Sequence, residues 1–257
     1  MKNNDTDTKL ATIILAAGKG TRMRSDLAKV LHPVYGNPMV VYPIELARTV
    51  GSEIIAVIVG HQADTIKESI KGDDLVFVHQ EQQLGTGHAV LQCRDALQSF
   101  QGQILILCGD VPLLLPATIE ALRDEHVSHQ AVVTVLTTLF DDPTGYGRVV
   151  KDESDTILKI VEERDATDEE RKIKEINSGI YCVESGFLFE AVGRINNDNA
   201  QGEYYLTDIL EIASGMEYTA KSFIIDDPRE VMGINSIEDL ARAEQIMKMR
   251  NGEFGSR

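Results

Sequence analysis

The 257-residue sequence predicts an α/β protein: a doubly wound sheet with a second lobe attached. Three observations carry this. Strand-length apolar runs alternate with helix-period segments through the first half. Those runs are continuously apolar, as strands buried on both faces are. The second half then turns to strand after strand with only short helical pieces between them.

In chain order, the first half predicts strands at Thr12–Ala17, Ile54–Val59, Leu75–His79 and Ile104–Cys108. Helices are predicted at Met39–Val50, Ala63–Lys71, His88–Ser99 and Pro116–Glu125. In the second half, AVVTVLTTL, GRVVKD, ILKIVEE and INSGIYCVE read as strands, making the sheet mixed. A strand-like EVMGI leads to a closing helix over Ile237–Met249, and NGEFGSR beyond it has no periodicity and reads as a frayed tail.

Composition narrows the function. No apolar run approaches a membrane span. With 25 Lys and Arg against 41 Asp and Glu, the net charge of −16 sets the whole surface against nucleic acid and anionic lipid. Three widely spaced cysteines, Cys93, Cys108 and Cys182, cannot all pair within one chain and are expected as reduced thiols. With a polar opening segment in place of a signal sequence, they point to a cytoplasmic protein. The six histidines form no HExxH, and His126 with His129 read as a solvated helix end rather than a metal pair.

Against the acidic background, Lys19, Arg22, Arg24 and Lys29 crowd into the loop after the first strand, where Gly18 and Gly20 let backbone amides approach an anion. The loop lacks the Gly-Lys-Ser/Thr of a P-loop, and Met23 stands where a dinucleotide fingerprint needs its third glycine. In such sheets ligands bind beyond the carboxyl ends of the strands, which is also where Asp110 begins a turn. On its own Asp110 reads equally as a turn cap, and Asn235 as the neighbour of a helix N-cap at Ser236.

LAAGKGTRMRSDLAKVLHP resembles the signature of the sugar-phosphate nucleotidyltransferases. The similarity continues through QEQQLGTGHA, CGDVPLL, DDPTGYGRVV, VEERDATDEE, EINSGIY, NAQGEYYLTD and GIN. In that order the segments resemble the uridyltransferase domain of the bacterial N-acetylglucosamine-1-phosphate uridyltransferase family over nearly the whole chain.

The resemblance implies one Rossmann-like nucleotidyltransferase domain over 1–257, with a nucleotide lobe at 8–125, a sugar lobe at 126–250 and a tail at 251–257. It implies Mg²⁺-dependent transfer of a uridylyl group from UTP to N-acetylglucosamine 1-phosphate. Residue by residue, Arg22 would stabilise the transition state and Lys29 would hold phosphate oxygens, with Asp110 and Asn235 as metal ligands. Leu15, Ala16, Ala17 and Gly18 would present backbone to the nucleotide. Gln80, Gly85, Thr86 and Gly109 would complete the uridine side, and Gly147, Glu162 and Asn177 would hold the sugar, with Glu203, Tyr204 and Thr207 over it.

Two positions depart from the family: Ala28 replaces a common proline and Cys108 a common aromatic residue. No hexapeptide run is present, so neither a left-handed β-helix nor acetyl transfer is expected, and the chain is expected as a monomer or weak dimer. Two alternatives remain at this stage: another sugar-1-phosphate nucleotidyltransferase, and a catalytically silent nucleotide-sugar-binding regulator.

Overall fold

The computed structural model describes residues 8–18, 20, 23, 25–70 and 72–252. Its first half runs β1 (Leu10–Leu15), the short hairpin β2 (Pro33–Val34) and β3 (Asn37–Pro38), α1 (Val41–Thr49), β4 (Ile54–Val59) and α2 (Ala63–Ser69). It continues with β5 (Leu75–His79), α3 (Thr86–Leu91), α4 (Arg94–Leu97), β6 (Gln103–Cys108) and α5 (Pro116–Ser128). The second half holds β7 (Val133–Leu139), β8 (Arg148–Lys151), β9 (Ile157–Val161), β10 (Glu175–Glu184), α6 (Ser185–Val192), α7 (Asp208–Gly215), β11 (Ala220–Ile224) and α8 (Ile237–Arg250).

Most of the sheet is a single row, β11-β7-β10-β6-β1-β4-β5, with the β8–β9 ribbon attached to β10. The pairs β1–β4, β1–β6, β4–β5 and β11–β7 are parallel, whereas β10 runs antiparallel to both β6 and β7. Six strands of the row therefore end on the same edge, and β10 begins there. Alternation along β1 sends Ala11 and Ile13 into one core, with residues of α3, α6 and α7, and Leu10 and Ile14 into another, with residues of α1, α2 and α5. Both faces are covered, as the doubly wound expectation requires.

Apart from shifts of one to three residues at the ends of α1, α2, β6 and α5, four differences from expectation have a local cause. β1 begins two residues earlier and ends at Leu15, because Ala16, after one hydrogen bond to the Ile58 carbonyl (3.0 Å), leads into the loop. The predicted helix 88–99 is broken into α3 and α4. The strand-like EVMGI instead begins within a 3₁₀ turn, Pro228–Val231, because Pro228 pre-sets the first turn and Asp227 caps it by accepting from the Arg229 N–H. β11 was hidden because AKSFI is short and only partly buried at the sheet edge.

His126 is also corrected. It is 1 % exposed, with Nδ1 2.9 Å from Thr134 Oγ1 and Nε2 3.0 Å from Glu184 Oε1, so it ties α5 to β7 and β10 and is not solvated. The three cysteines are free, and burial pushes the Cys93 thiol up to about 12.

Gly109 shows how the strand ends are held close. Its N–H donates to the Leu15 carbonyl at 2.9 Å, and a Cβ there would meet that oxygen at 2.9 Å and Val30 Cγ1 at 3.2 Å. Gly109→Ala is expected to cost about 1–3 kcal/mol by forcing β1 and β6 apart. For a chain of this size that lowers Tm by several degrees. Thermal unfolding with an unchanged Tm would contradict this packing account.

Candidate active site

The loops at the shared strand edge enclose a cavity of about 860 Å³. Its lining includes Leu15, Ala16, Ala17, Gly18, Lys29, Gln80, Gly85, Thr86, Asp110 and Asn235, ten of the residues picked out in sequence. Gly109 lies outside it, in the floor between β1 and β6. Arg22, Lys19 and Arg24 fall outside the described residues. Gly20 adopts φ +60, the left-handed region that glycine tolerates.

At one side of the cavity three remote segments meet. Lys29 opens a 3₁₀ turn, Lys29–Leu31, that follows the basic loop, and its Nζ forms an ion pair with Asp110 Oδ2 and donates to Asn235 Oδ1 at 2.7 Å. Asp110 stands just beyond β6, and its carbonyl accepts from the Ile234 N–H at 2.9 Å, which draws the 230s segment in. Asn235 directly precedes the N-cap of α8. Ser236 and Asp239 form a reciprocal capping box, and Asp239 Oδ2 also accepts from the Asn235 N–H at 3.1 Å. The cap thus fixes the Asn235 backbone while its carboxamide oxygen faces Lys29, so the segment caps α8 and also reaches the cavity.

Asp110 and Asn235 turn two hard oxygens toward one cation, the Lys29 ammonium. That donor set, without sulfur or imidazole, fits Mg²⁺, which takes one or two carboxylate or carbonyl ligands and fills its other positions with phosphate and water. No group of three or more His, Cys, Asp or Glu that could hold a metal occurs among the described residues. Cys108 also lines the cavity, and burial, then Asp110, raises its thiol to about 12 while Lys29 opposes the rise.

The far side is built around Gln80, 3 % exposed, whose Nε2 donates to the Gly85 carbonyl at 3.2 Å and lies 3.0 Å from His88 Nδ1. Its amino group is engaged within the protein, which leaves the carbonyl oxygen for a ligand. Thr86 Oγ1 accepts from the Leu206 N–H at 3.1 Å and anchors the 199–208 segment beside the cavity. His88 escaped sequence reasoning; the signal was its place one turn into the helix that follows Gln80 and Gly85.

Gly147, Glu162 and Asn177 do not line the cavity but form an adjoining group. The Gly147 carbonyl accepts from the Asn177 N–H at 2.9 Å, and Glu162 Oε1 accepts from the Thr207 hydroxyl at 3.1 Å. A Cβ on Gly147 would lie 3.5 Å from both Asn177 Cβ and Glu162 Oε1. Asn177 Oδ1 accepts from the Gly179 N–H (2.9 Å) and the Tyr181 hydroxyl (3.0 Å), leaving its amino group as the donor. Tyr181 is another residue the sequence did not single out. A bulge between Asn177 and Tyr181, with Gly179 at φ +80, lets one antiparallel strand supply both partners. Cys108 Sγ donates to the Gly179 carbonyl at 3.4 Å, joining this group to the cavity wall.

The adjoining group is acidic. Glu162 is held above the ordinary carboxylate range by burial, which outweighs the Thr207 hydrogen bond. Asp208, at the start of α7, is raised to about 6 by burial and then by Glu211, Glu162 and Asp165. The unfolded Asp titrates near pH ~4, so between that pH and about 6 the folded chain binds more protons. Stability therefore falls as pH rises through this window. Asp208→Asn is expected to raise Tm at pH 8 and to leave it nearly unchanged at pH 4. An equal gain at both pH values would show that charge is not the cause.

Comparison with known proteins gives this site its family. The nucleotidyl transferase family profile matches residues 11–239. The bifunctional protein GlmU of Geotalea daltonii is 54 % identical over 94 % of this chain and 53 % of its own length. That of Desulfotalea psychrophila is 45 % identical over 95 % of this chain and 72 % of its own length. The chain spans about half the length of most of the curated relatives it matches. A UDP-glucose pyrophosphorylase solved with UDP-glucose shares the fold, with a TM-score of 0.77 at 18 % identity over 95 % of this chain and 99 % of its own. Profile and relatives show that the chain belongs to the nucleotidyl transferase family.

Proposed function

We propose that this chain transfers a uridylyl group from UTP to N-acetylglucosamine 1-phosphate, forming UDP-N-acetylglucosamine and pyrophosphate. The observation that carries the reading is the meeting of Lys29, Asp110 and Asn235 at a cavity walled by a glycine loop. The choice of nucleotide and sugar comes from the sequence resemblance to the N-acetylglucosamine-1-phosphate uridyltransferases, and membership of the nucleotidyl transferase family supports the reaction class.

A phosphate oxygen of the sugar attacks the α-phosphorus of UTP in line, and the bond to the β-phosphate oxygen breaks to release pyrophosphate. No side-chain nucleophile is required, so the protein's part is positioning and charge neutralisation. Lys29 holds phosphate oxygens, and Arg22 joins it on the strength of the family resemblance. Asp110 and Asn235 would hold Mg²⁺, which when bound neutralises charge on the phosphoryl oxygens. Backbone of residues 15–18 and 85–86 with the Gln80 carbonyl receives the uridine, while Gly147, Glu162 and Asn177 receive the sugar under Thr207. On this reading residues 8–125 form the nucleotide lobe and 126–250 the sugar lobe of a cytoplasmic, monomeric or weakly dimeric unit with no nucleic-acid or membrane partner.

Pyrophosphate release measured over a panel of nucleotides and sugar phosphates tests the proposal. UTP with N-acetylglucosamine 1-phosphate is expected to exceed glucose 1-phosphate roughly tenfold to a hundredfold in kcat/KM, because the smaller sugar leaves buried polar groups unpaired. Asp110→Asn is expected to remain folded and lose about a hundredfold or more in rate. Preference for a different base or sugar would reassign the substrate, and near-wild-type turnover by Asp110→Asn would remove Asp110 from the chemistry.

A further inference from the structure

Among the described residues Arg148 has the largest fully buried side chain, only 2 % exposed, and its side-chain hydrogen bonds go neither to a cavity-lining residue nor to one assigned above to substrates. One guanidinium nitrogen, Nη2, donates to Glu163 Oε2 at 2.7 Å, and Nη1 donates to the Tyr146 carbonyl. Its Nε has no partner among the described residues. The pair is a poor source of stability, because the Glu163 carboxylate is 30 % exposed to water while the guanidinium is desolvated and one of its N–H groups is left unmade. Its geometry points elsewhere.

Glu163 Oε2 also accepts from the Gly145 N–H at 3.1 Å, and Arg171 Nε lies 3.7 Å from Oε1. The two side chains therefore grip the segment Gly145-Tyr146-Gly147 at two consecutive residues: the N–H of Gly145 and the carbonyl of Tyr146. Gly145 sits at φ +87 in a turn closed by the Tyr146 N–H donating to the Pro143 carbonyl at 3.2 Å, and the Tyr146 ring meets Phe140 edge-on with centroids 5.0 Å apart. The next residue is Gly147, which spends its carbonyl on Asn177 and whose N–H donates to no protein group among the described residues.

Glu162 and Glu163 follow β9, where the chain turns and the Asp165 N–H donates to the Glu162 carbonyl at 3.0 Å, and their side chains part at that turn. Glu162 faces Gly147 and Thr207, while Glu163 faces Arg148 behind them. The two neighbouring glutamates thus serve different partners, the first Thr207 beside Gly147 and the second Arg148. We propose that Arg148 and Glu163 are positioning residues for the sugar phosphate, a clamp that fixes the Gly145–Gly147 segment so that the Gly147 N–H is presented in one orientation. The proposal rests on the assignment of Gly147 to the sugar.

The test uses Glu163→Ala, Glu163→Gln and Arg148→Lys in the full chain, with two readouts. The first is KM for N-acetylglucosamine 1-phosphate and for UTP, each at saturating partner. Glu163→Ala is expected to raise the sugar KM about tenfold or more while leaving the UTP KM within about twofold, since misplacing one positioning group by a fraction of an ångström is costly. Glu163→Gln keeps an acceptor oxygen and is expected to restore most of the affinity; Arg148→Lys keeps charge but loses the two-pronged grip, and is expected to behave like Glu163→Ala. The second readout is hydrogen exchange of the peptide spanning 143–150, which is expected to speed up in Glu163→Ala and recover in Glu163→Gln. Equal rises in both KM values, or an unchanged sugar KM with unchanged exchange, would overturn the clamp. Should the wild type release no pyrophosphate with any substrate pair, the functional reading fails, and the exchange result decides the clamp alone.

Discussion

A half-buried ammonium held between a carboxylate and a carboxamide organises this molecule. Lys29 and Asp110 are respectively 13 % and 26 % exposed at their side chains, and Asn235 closes the triangle from the other end of the chain. Removing one partner from a desolvated pair costs more than the pair itself contributes, because the remaining charge stays buried and uncompensated. The loop after β1, the turn after β6 and the N-terminus of α8 are therefore tied to one point. A triphosphate that draws Lys29 toward its own oxygens leaves Asp110 and Asn235 without their cation, so demand for another cation at that spot rises with nucleotide binding. The proposed metal dependence follows from this exchange of partners.

The second constraint is the single reversed strand. Parallel strands bring their carboxyl ends to one edge, and the loops there build the cavity. β10 arrives at that edge with its first residues, which pairs Asn177 with Thr137 of β7 and brings the β8–β9 ribbon alongside through Ile176 and Arg148. One antiparallel insertion thereby joins the Gly147, Glu162 and Asn177 group to the cavity side without a separate core. The bulge around Gly179 adjusts the register so that Asn177 and Tyr181 meet.

Much of this was readable in advance because it depends on local chemistry. Continuous apolar runs located β4 and β5 to the residue and β6 to within one, and the glycine loop, Lys29 and Asp110 pointed to the strand edge where the cavity lies. What stayed hidden depends on pairing across distance. Nothing in Tyr181 itself says that its hydroxyl will fix Asn177, and Arg148 reads as an ordinary charged strand residue until the fold buries it. Asn235 looked like a cap neighbour because it is one; its second role exists only once the Asp110 carbonyl has drawn Ile234 into place. EVMGI failed as a strand because Pro228 and Asp227, just before it, favour a tight turn, and His126 failed as a surface residue because β7 and β10 supply its partners.

Calorimetric titration of UTP into the wild type and into Asp110→Asn, each with and without Mg²⁺, addresses the junction most directly. The account predicts that Mg²⁺ tightens UTP binding to the wild type and that this gain disappears in Asp110→Asn. An equal Mg²⁺-dependent gain in both proteins would contradict it, because the cation would then be recruited without the carboxylate that Lys29 now holds.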